Sequence, residues 1–161
     1  MSWQEFGCVV HQKLGEFMKL VLGSDHAGFE LKSALSAWLL DQGHQIYDVG
    51  GFSKERVDYP EFGAELGRVV AAGEAEFGIA VCGSGQGICM AANKIHGIRA
   101  ALIRTVEDAQ LARAHNNANV ACFGGRVTDA SLALEAFAVF LSTPFEGGRH
   151  ADRVAQLNEL T

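Results

Sequence analysis

The chain has 161 residues, 48% of them hydrophobic and 20% charged, which is typical of one globular domain with a substantial core. Its net charge of −6 argues against nucleic acid as a partner, because phosphate backbones are bound by basic surfaces. No apolar stretch approaches the ~20 residues of a membrane span, so we expect no membrane partner. The four cysteines have no Cys-x-x-Cys spacing, which disfavours zinc and disulfide frameworks and favours a reducing, cytoplasmic location.

The first eighteen residues differ in pattern from the rest of the chain. They lack the basic start and apolar middle of a signal peptide. Their apolar residues fall at helical spacing, which favours a short amphipathic helix: Trp3, Phe6, Val10, Leu14 and Phe17. The alternative is that Met18 is the functional start, since the first strand follows it directly. We expect residues 1–18 to be an appendage without a chemical role and residues 19–161 to form a single domain.

Strand-like and helix-like segments alternate through that domain. Short apolar runs predict strands at residues 19–23, 45–49, 79–82, 98–103 and 119–123. Helical spacing predicts helices from residue 31 to the glycine at 43, then at 60–72, 88–94, 106–115, 131–141 and 149–160. Elements in this order, with short connections, form a parallel sheet with right-handed crossovers. The sequence therefore predicts an α/β fold, a three-layer αβα sandwich around a five-stranded parallel, Rossmann-like sheet.

The stretch from residue 77 to residue 95 carries the strongest signal for a site. An apolar run ending in Cys82 leads into Gly83, Gly85 and Gly87 and then into helix-forming residues. A strand, glycine turn and helix start in this order present free backbone N–H groups to an anion. The turn also carries the Cys82 thiol and the Ser84 hydroxyl. A tight turn without chemistry is the plainer alternative.

Two nucleotide-binding motifs fail at this turn. The dinucleotide pattern requires a third glycine where Ile88 stands, and the next strand ends at Arg104 without the acid that would bind a ribose hydroxyl. The Gly-Lys-Ser/Thr of a P-loop is also missing. We therefore expect no nicotinamide or nucleotide cofactor.

Several polar groups, many of them titratable, are predicted to meet near the carboxyl ends of the strands, where open α/β sheets bind their ligands. They are Asp25 and His26 after the first strand, Asp48, Arg56, Asp58 and Tyr59 at and after the end of the second, Cys82 and Ser84 at the end of the third, His115 and Asn116 before the fifth, and Arg126 after it. Taken singly, each has a structural explanation, such as a helix cap for Asp25 or a buried apolar role for Cys82. Their number at one sheet edge predicts an active site.

Seven motifs in order resemble the type B ribose-5-phosphate isomerase family, which also includes allose-6-phosphate and galactose-6-phosphate isomerases. They are Asp25-His-Ala-Gly-Phe, Asp58-Tyr-Pro, Cys82-Gly-Ser-Gly-Gln-Gly-Ile, Ala91-Ala-Asn-Lys, His115-Asn-Asn-Ala-Asn, Phe123-Gly-Gly-Arg and Gly147-Gly-Arg-His-Ala-Asp-Arg. The resemblance runs from Lys19 to about Leu160 and leaves out the first eighteen residues.

The resemblance implies an aldose–ketose isomerase for a sugar phosphate that uses neither a metal nor another cofactor. It also implies a homodimer with active sites between the subunits, and pairing of dimers into tetramers in part of the family. One branch of the family uses a cysteine at the position of Cys82 as the base. Another uses a glutamate where Ile88 stands here, so this chain resembles the cysteine branch.

The resemblance also implies a role for each candidate residue. Cys82 is the base, while Ser84 and the N–H groups of the turn from Gly83 to Gly87 stabilise a cis-enediolate. His115 opens the sugar ring with help from Asp25. The substrate-binding set comprises His26, Tyr59, Gly83, Gly85, Gly87 and Asn116, and the phosphate-binding set comprises Arg126, Arg149 and Arg153. Arg149 and Arg153 are four residues apart and therefore share a helix face.

Two alternatives remain open. A hexose 6-phosphate isomerase would need room for one more carbon beside the loop at residues 51–59, which sequence alone does not measure. A non-catalytic sugar-phosphate-binding module would keep the arginines but has no need of Cys82, Ser84 and His115 together.

Overall fold

Five strands and six helices alternate in the computed structural model, which describes residues 17–160. The strands are β1 (Lys19–Ser24), β2 (Gln45–Asp48), β3 (Phe77–Cys82), β4 (Ala100–Leu102) and β5 (Val120–Gly124). The helices are α1 (Phe29–Asp41), α2 (Tyr59–Ala71), α3 (Gln86–Asn93), α4 (Val106–Asn116), α5 (Ala130–Ser142) and α6 (Arg149–Glu159). Every predicted element is present, although β4 is three residues long where six were expected. The expected helix in the appendage lies outside the described residues.

All five strands are parallel and form one sheet in the order β2-β1-β3-β5-β4. This confirms the predicted α/β sandwich. The register pairs Ser24 with Val81 and Cys82 with Gly124, so the carboxyl ends of β1, β3 and β5 lie side by side. The middle strand of these three is β3, which carries the glycine turn.

Side chains of the central strands alternate between two hydrophobic cores, as the period of a strand requires. Leu22, Val81 and Phe123 face a core built with α1, α4 and α5. Val21, Cys82 and Cys122 face the opposite core, built with α2 and α3. Cys82 is thus placed on the α3 side of the sheet, directly before the turn that starts α3.

Helices leave the strand ends toward opposite faces of the sheet. The helices that follow β1 and β5, α1 and α5, pack in one core, whereas α3, which follows β3, packs in the other. Neighbouring loops that diverge in this way open a crevice between them, and α/β proteins bind ligands in such crevices. Here β3 lies between two diverging neighbours, so the crevice centres on Cys82 and its turn.

A buried lysine ties the loop after β2 to this edge. Lys32 of α1 is 1% exposed, and its Nζ donates to Asp48 Oδ1 at 2.7 Å and to the carbonyl oxygens of Gly50 and Gly51 at 3.2 and 2.7 Å. The same loop bonds to the end of β1 through Ser24 N to Gly50 O at 2.7 Å. The lysine therefore holds the wall of the crevice beside Asp25.

Among residues 17–160, no helix is both long enough and apolar enough to cross a membrane.

Candidate active site

The Cys82 side chain receives a hydrogen bond from the turn that follows it. Gly85 N donates to Cys82 Sγ at 3.2 Å, and the residue is 4% exposed. Gly85 has a φ of 81°, in the left-handed region that favours glycine, and this conformation lets the chain turn into α3 directly after that bond. The start of α3 follows at Gln86, so the sulfur lies beside the positive end of that helix.

Gly85→Ala is expected to destabilise the fold by about 3 kcal/mol and to displace the turn. A Cβ there would lie 2.7 Å from Leu102 Cδ1 and 2.8 Å from the backbone carbon of Phe123, in addition to the strain of a positive φ. Gly73→Ala is the matched control, because Gly73 has a φ of 75° and no atom within 4 Å of that position. Urea unfolding of both variants measures the difference. Equal losses of stability would contradict the close packing inferred at Gly85.

The rest of the turn faces outward and meets the start of α2. Ser84 is exposed, and its Oγ accepts a hydrogen bond from Gln86 N at 3.3 Å. A Cβ at Gly87 would lie 2.5 Å from Tyr59 Cζ, so the tyrosine ring covers the backbone at that glycine. Tyr59, Ser84 and the glycine turn are therefore brought together at one edge, as predicted.

The loop after β1 lies against the end of β3. Asp25 N donates to Val81 O at 3.2 Å, and the Asp25 carboxylate accepts from Gly28 N at 3.0 Å, close to the start of α1. Asp25 does not cap α1, whose N-cap residue is Gly28 and which has no side-chain cap; its carboxylate instead closes the loop before the helix and is buried beside the strand of Cys82. The neighbouring imidazole of His26 has Nδ1 3.2 Å from Val57 O and 3.3 Å from Val57 N, so its tautomer decides which of them it bonds.

The loop after β5 closes the other side of the crevice. Gly125 N donates to Cys82 O at 2.8 Å, and Arg126 N donates to Gly83 O at 3.0 Å. The Arg126 side chain is exposed, and its Nη1 would lie 3.1 Å from a Cβ at Gly83. One candidate phosphate-binding arginine therefore lies directly against the glycine turn.

His115 and Asn116 do not join this group, and their predicted convergence at the same edge of one chain was wrong. They end α4, which returns the chain to the amino ends of the strands before β5 begins. Asn119, just before β5, bonds Arg99 N before β4, which fixes this segment at the amino edge. A strand of five residues separates the two edges by roughly 15 Å, beyond the reach of a histidine side chain.

A second polar cluster forms at that amino edge around His115. Its ring stacks on His150 of α6 with centroids 4.2 Å apart and planes within 10° of parallel. Glu146 Oε2 lies 3.8 Å from His115 Nε2 and 3.7 Å from His150 Nε2. Burial lowers the pKa of His150, and the charges of His115, Arg149 and Arg153 lower it further while Glu146 partly offsets them.

Both predicted phosphate-binding arginines lie on α6 with His150, the residue that stacks on His115. Arg149 and Arg153 are exposed and lie one helical turn apart. The three potential ligand atoms of His115, Glu146 and His150 lie within 4.8 Å of one another. Because the two imidazole planes are nearly parallel, their nitrogen lone pairs run side by side and do not converge on one tetrahedral ion.

The candidate residues therefore form two groups at opposite ends of the sheet. The carboxyl edge holds Asp25, His26, Tyr59, Cys82, Ser84, the turn glycines and Arg126, while the amino edge holds His115, Asn116, Arg149 and Arg153. Sequence reasoning missed three residues of these surroundings: Lys32, Arg104 and His150. The sequence does contain a signal for Lys32: it lies three residues before Leu35 and seven before Leu39, which places a charged side chain on the buried face of α1.

An all-parallel sheet with a glycine turn and a buried thiol at its carboxyl edge defines an α/β protein suited to a small anionic ligand. The chain belongs to the Ribose/Galactose Isomerase family, whose model matches residues 20–157. This confirms the family resemblance in the sequence.

Individual relatives agree with the family assignment. Ribose-5-phosphate isomerase B of Escherichia coli (strain K12) is 42% identical over 142 residues, 88% of this chain and 95% of that protein. A crystal structure of a ribose 5-phosphate isomerase from Thermotoga maritima has a TM-score of 0.88 and 44% identity, covering 90% of this chain and 100% of its own. Ribose-5-phosphate isomerase B from Mycoplasma genitalium, crystallised with bound ribulose-5-phosphate, has a TM-score of 0.82 and 37% identity, covering 87% of this chain and 93% of its own.

Proposed function

We propose that this protein is an aldose–ketose isomerase that interconverts ribose 5-phosphate and ribulose 5-phosphate, with Cys82 as the general base. Homologues that are 42% and 44% identical over 88% of the chain carry the name ribose-5-phosphate isomerase B, which supports this reaction class. The observation that carries the role of Cys82 is its position at the centre of the crevice, with the Gly85 N–H directed at its sulfur.

The proposed chemistry moves one proton between two carbons. Cys82, as the thiolate, takes the proton from C2 of the open-chain aldose, and the electron pair moves through a cis-enediolate to the aldehyde oxygen. The proton then returns to C1, while the C2 hydroxyl proton passes to the oxygen on C1. The product of these two transfers is the ketose. Backbone N–H groups of the turn and the Ser84 hydroxyl are the donors available for the developing oxyanion. One such donor typically contributes ~3 kcal/mol to transition-state stabilisation.

The other two thiols among residues 17–160 are poorer candidates for this base. Cys122 is fully buried in β5, and burial raises the pKa of its thiol well above the usual range. Cys89 is buried one helical turn into α3, where its sulfur accepts from Asn93 Nδ2 at 3.8 Å. Cys82 alone of the three lies at a strand end beside the glycine turn.

The groups at the amino edge are proposed to act on the substrate of a partner protomer. One cluster holds His115, proposed for ring opening, together with Arg149 and Arg153, proposed for the phosphate. This cluster is too far from Cys82 of the same chain to act on one substrate with it. In a two-fold homodimer, every contact between two different surfaces occurs twice, once in each direction. A single interface that brings the amino edge of one chain to the carboxyl edge of its partner therefore also brings the partner's amino edge to the carboxyl edge of the first chain. Two complete active sites result, each with the base from one chain and the ring-opening histidine from the other. Pairing of such dimers into tetramers stays a prediction.

Initial rates test the function itself. We expect turnover of ribose 5-phosphate to exceed that of allose 6-phosphate and galactose 6-phosphate, with no added metal or nucleotide. A preference for either hexose phosphate would shift the assignment to the six-carbon branch of the same family. Binding of all three sugars without turnover would replace the isomerase with a sugar-phosphate-binding protein.

A further inference from the structure

Arg104 follows β4 at the carboxyl edge and reaches the catalytic turn from the side. Its Nη2 donates to Ser84 O at 3.0 Å, across the end of β5. Its backbone is fixed as well, because Arg104 N donates to Asp108 Oδ2 at 2.9 Å in the capping box that starts α4. Arg104 is half-buried as a residue, and its guanidinium forms no ion pair with a carboxylate within the described part of the chain, residues 17–160.

The carbonyl that Arg104 holds belongs to the peptide unit whose N–H reaches Cys82. Ser84 C=O and Gly85 N–H are the two ends of one planar group, and the N–H donates to Cys82 Sγ at 3.2 Å. A trans peptide points its oxygen and its hydrogen in opposite directions. A donor that fixes the oxygen therefore fixes the direction of the N–H. A positive charge at the oxygen also polarises the amide and strengthens the N–H as a donor.

The geometry points to Arg104 as a positioning residue that holds and polarises the Ser84–Gly85 peptide so that its N–H supports the sulfur of Cys82 as an anion. The inference rests on the proposed function, in which Cys82 is the base. Arg104 acts through the peptide unit and needs no contact with the sugar. This role differs from the one proposed for Arg126, Arg149 and Arg153, which are exposed and would contact the phosphate directly.

Three substitutions at this position separate charge from hydrogen bonding. Arg104→Met removes both, Arg104→Gln keeps a polar side chain without the charge, and Arg104→Lys keeps the charge. Iodoacetamide alkylation of Cys82 at pH 7, located by peptide mass spectrometry, reports on the thiolate without requiring any turnover. We expect the alkylation rate to fall about fivefold in the Met and Gln variants and to stay within twofold of wild type in the Lys variant.

Steady-state kinetics give the second readout. A positioning role predicts that kcat with ribose 5-phosphate falls about tenfold in Arg104→Met while KM changes less than twofold. Arg68→Met is the matched control, because Arg68 pairs on the surface of α2 with Glu65 at 3.1 Å and should leave both parameters unchanged.

The outcomes separate the inference from the function on which it rests. Unchanged alkylation of Cys82 in folded Arg104→Met, or in Arg104→Gln should the Met variant not fold, would overturn the role of Arg104. A raised KM with an unchanged kcat would also overturn it and make Arg104 a substrate-binding residue. Absence of turnover in the wild type would instead refute the proposed function, and the alkylation rates would still decide whether Arg104 acts on the thiol.

Discussion

Replacement of Cys82 by alanine is expected to lower kcat for ribose 5-phosphate by about 1,000-fold or more, because the proton on C2 loses its base. The fold should persist, since the change removes one sulfur atom at the edge of a core and costs about 1 kcal/mol. Phosphate binding should also persist, because the arginines are untouched. Initial rates together with isothermal titration of inorganic phosphate measure the two properties separately.

Cys122→Ala is the control for this substitution. Cys122 lies on the neighbouring strand, faces the same core as Cys82 and is fully buried. Its replacement by alanine therefore removes an equivalent sulfur atom from the same core. We expect Cys122→Ala to lose a similar amount of stability and to retain its rate. Turnover near the wild-type level in Cys82→Ala would show that Cys82 is not the base. Loss of rate in both variants would show that the rate depends on the packing of this core and not on the Cys82 thiol.

Mixed dimers should restore activity from two inactive variants if the active site is shared between protomers. Cys82→Ala lacks the base and His115→Ala lacks the ring-opening histidine, so each homodimer should be inactive. A mixed dimer contains one site with both groups intact and one site with neither. After unfolding and refolding of equal amounts, half of the dimers are mixed and half of their sites are complete, so about 25% of wild-type activity should return.

A second pair of variants controls for this experiment. Cys82→Ala mixed with Asp25→Asn should recover nothing, because both residues belong to the carboxyl edge and every site of a mixed dimer would carry one of the two defects. Recovery in that control, or its absence in the Cys82 and His115 mixture, would contradict a site built from two protomers. Sedimentation of the mixtures confirms that dimers have formed.

The sequence by itself determined the elements and the chemistry of the central turn. Apolar runs of strand length, glycines at the helix ends and Pro60 at a helix start are local signals that act over a few residues. They placed all five strands and six helices of residues 17–160 to within a few residues at each end. The glycine turn after Cys82 is equally local, since a positive φ at Gly85 is a property of that residue and its neighbours.

The tertiary structure decided which of these pieces meet. The strand order β2-β1-β3-β5-β4 depends on how both faces of the sheet are covered, which no local pattern specifies. That order places β1 and β5 on either side of β3 and brings Asp25 and Arg126 to the turn. The same winding sends α4 back to the amino edge, and so separates His115 from Cys82 although both belong to the predicted site.

Contacts between side chains and distant backbone were equally beyond local reasoning. Arg104 and Ser84 are twenty residues apart, and Lys32 and Gly51 are nineteen apart, yet each pair forms a hydrogen bond. Such bonds form because the folded chain buries or directs carbonyl groups that then need donors. Sequence shows which residues can donate, but the packing of the strands and helices selects the carbonyl that each donor meets.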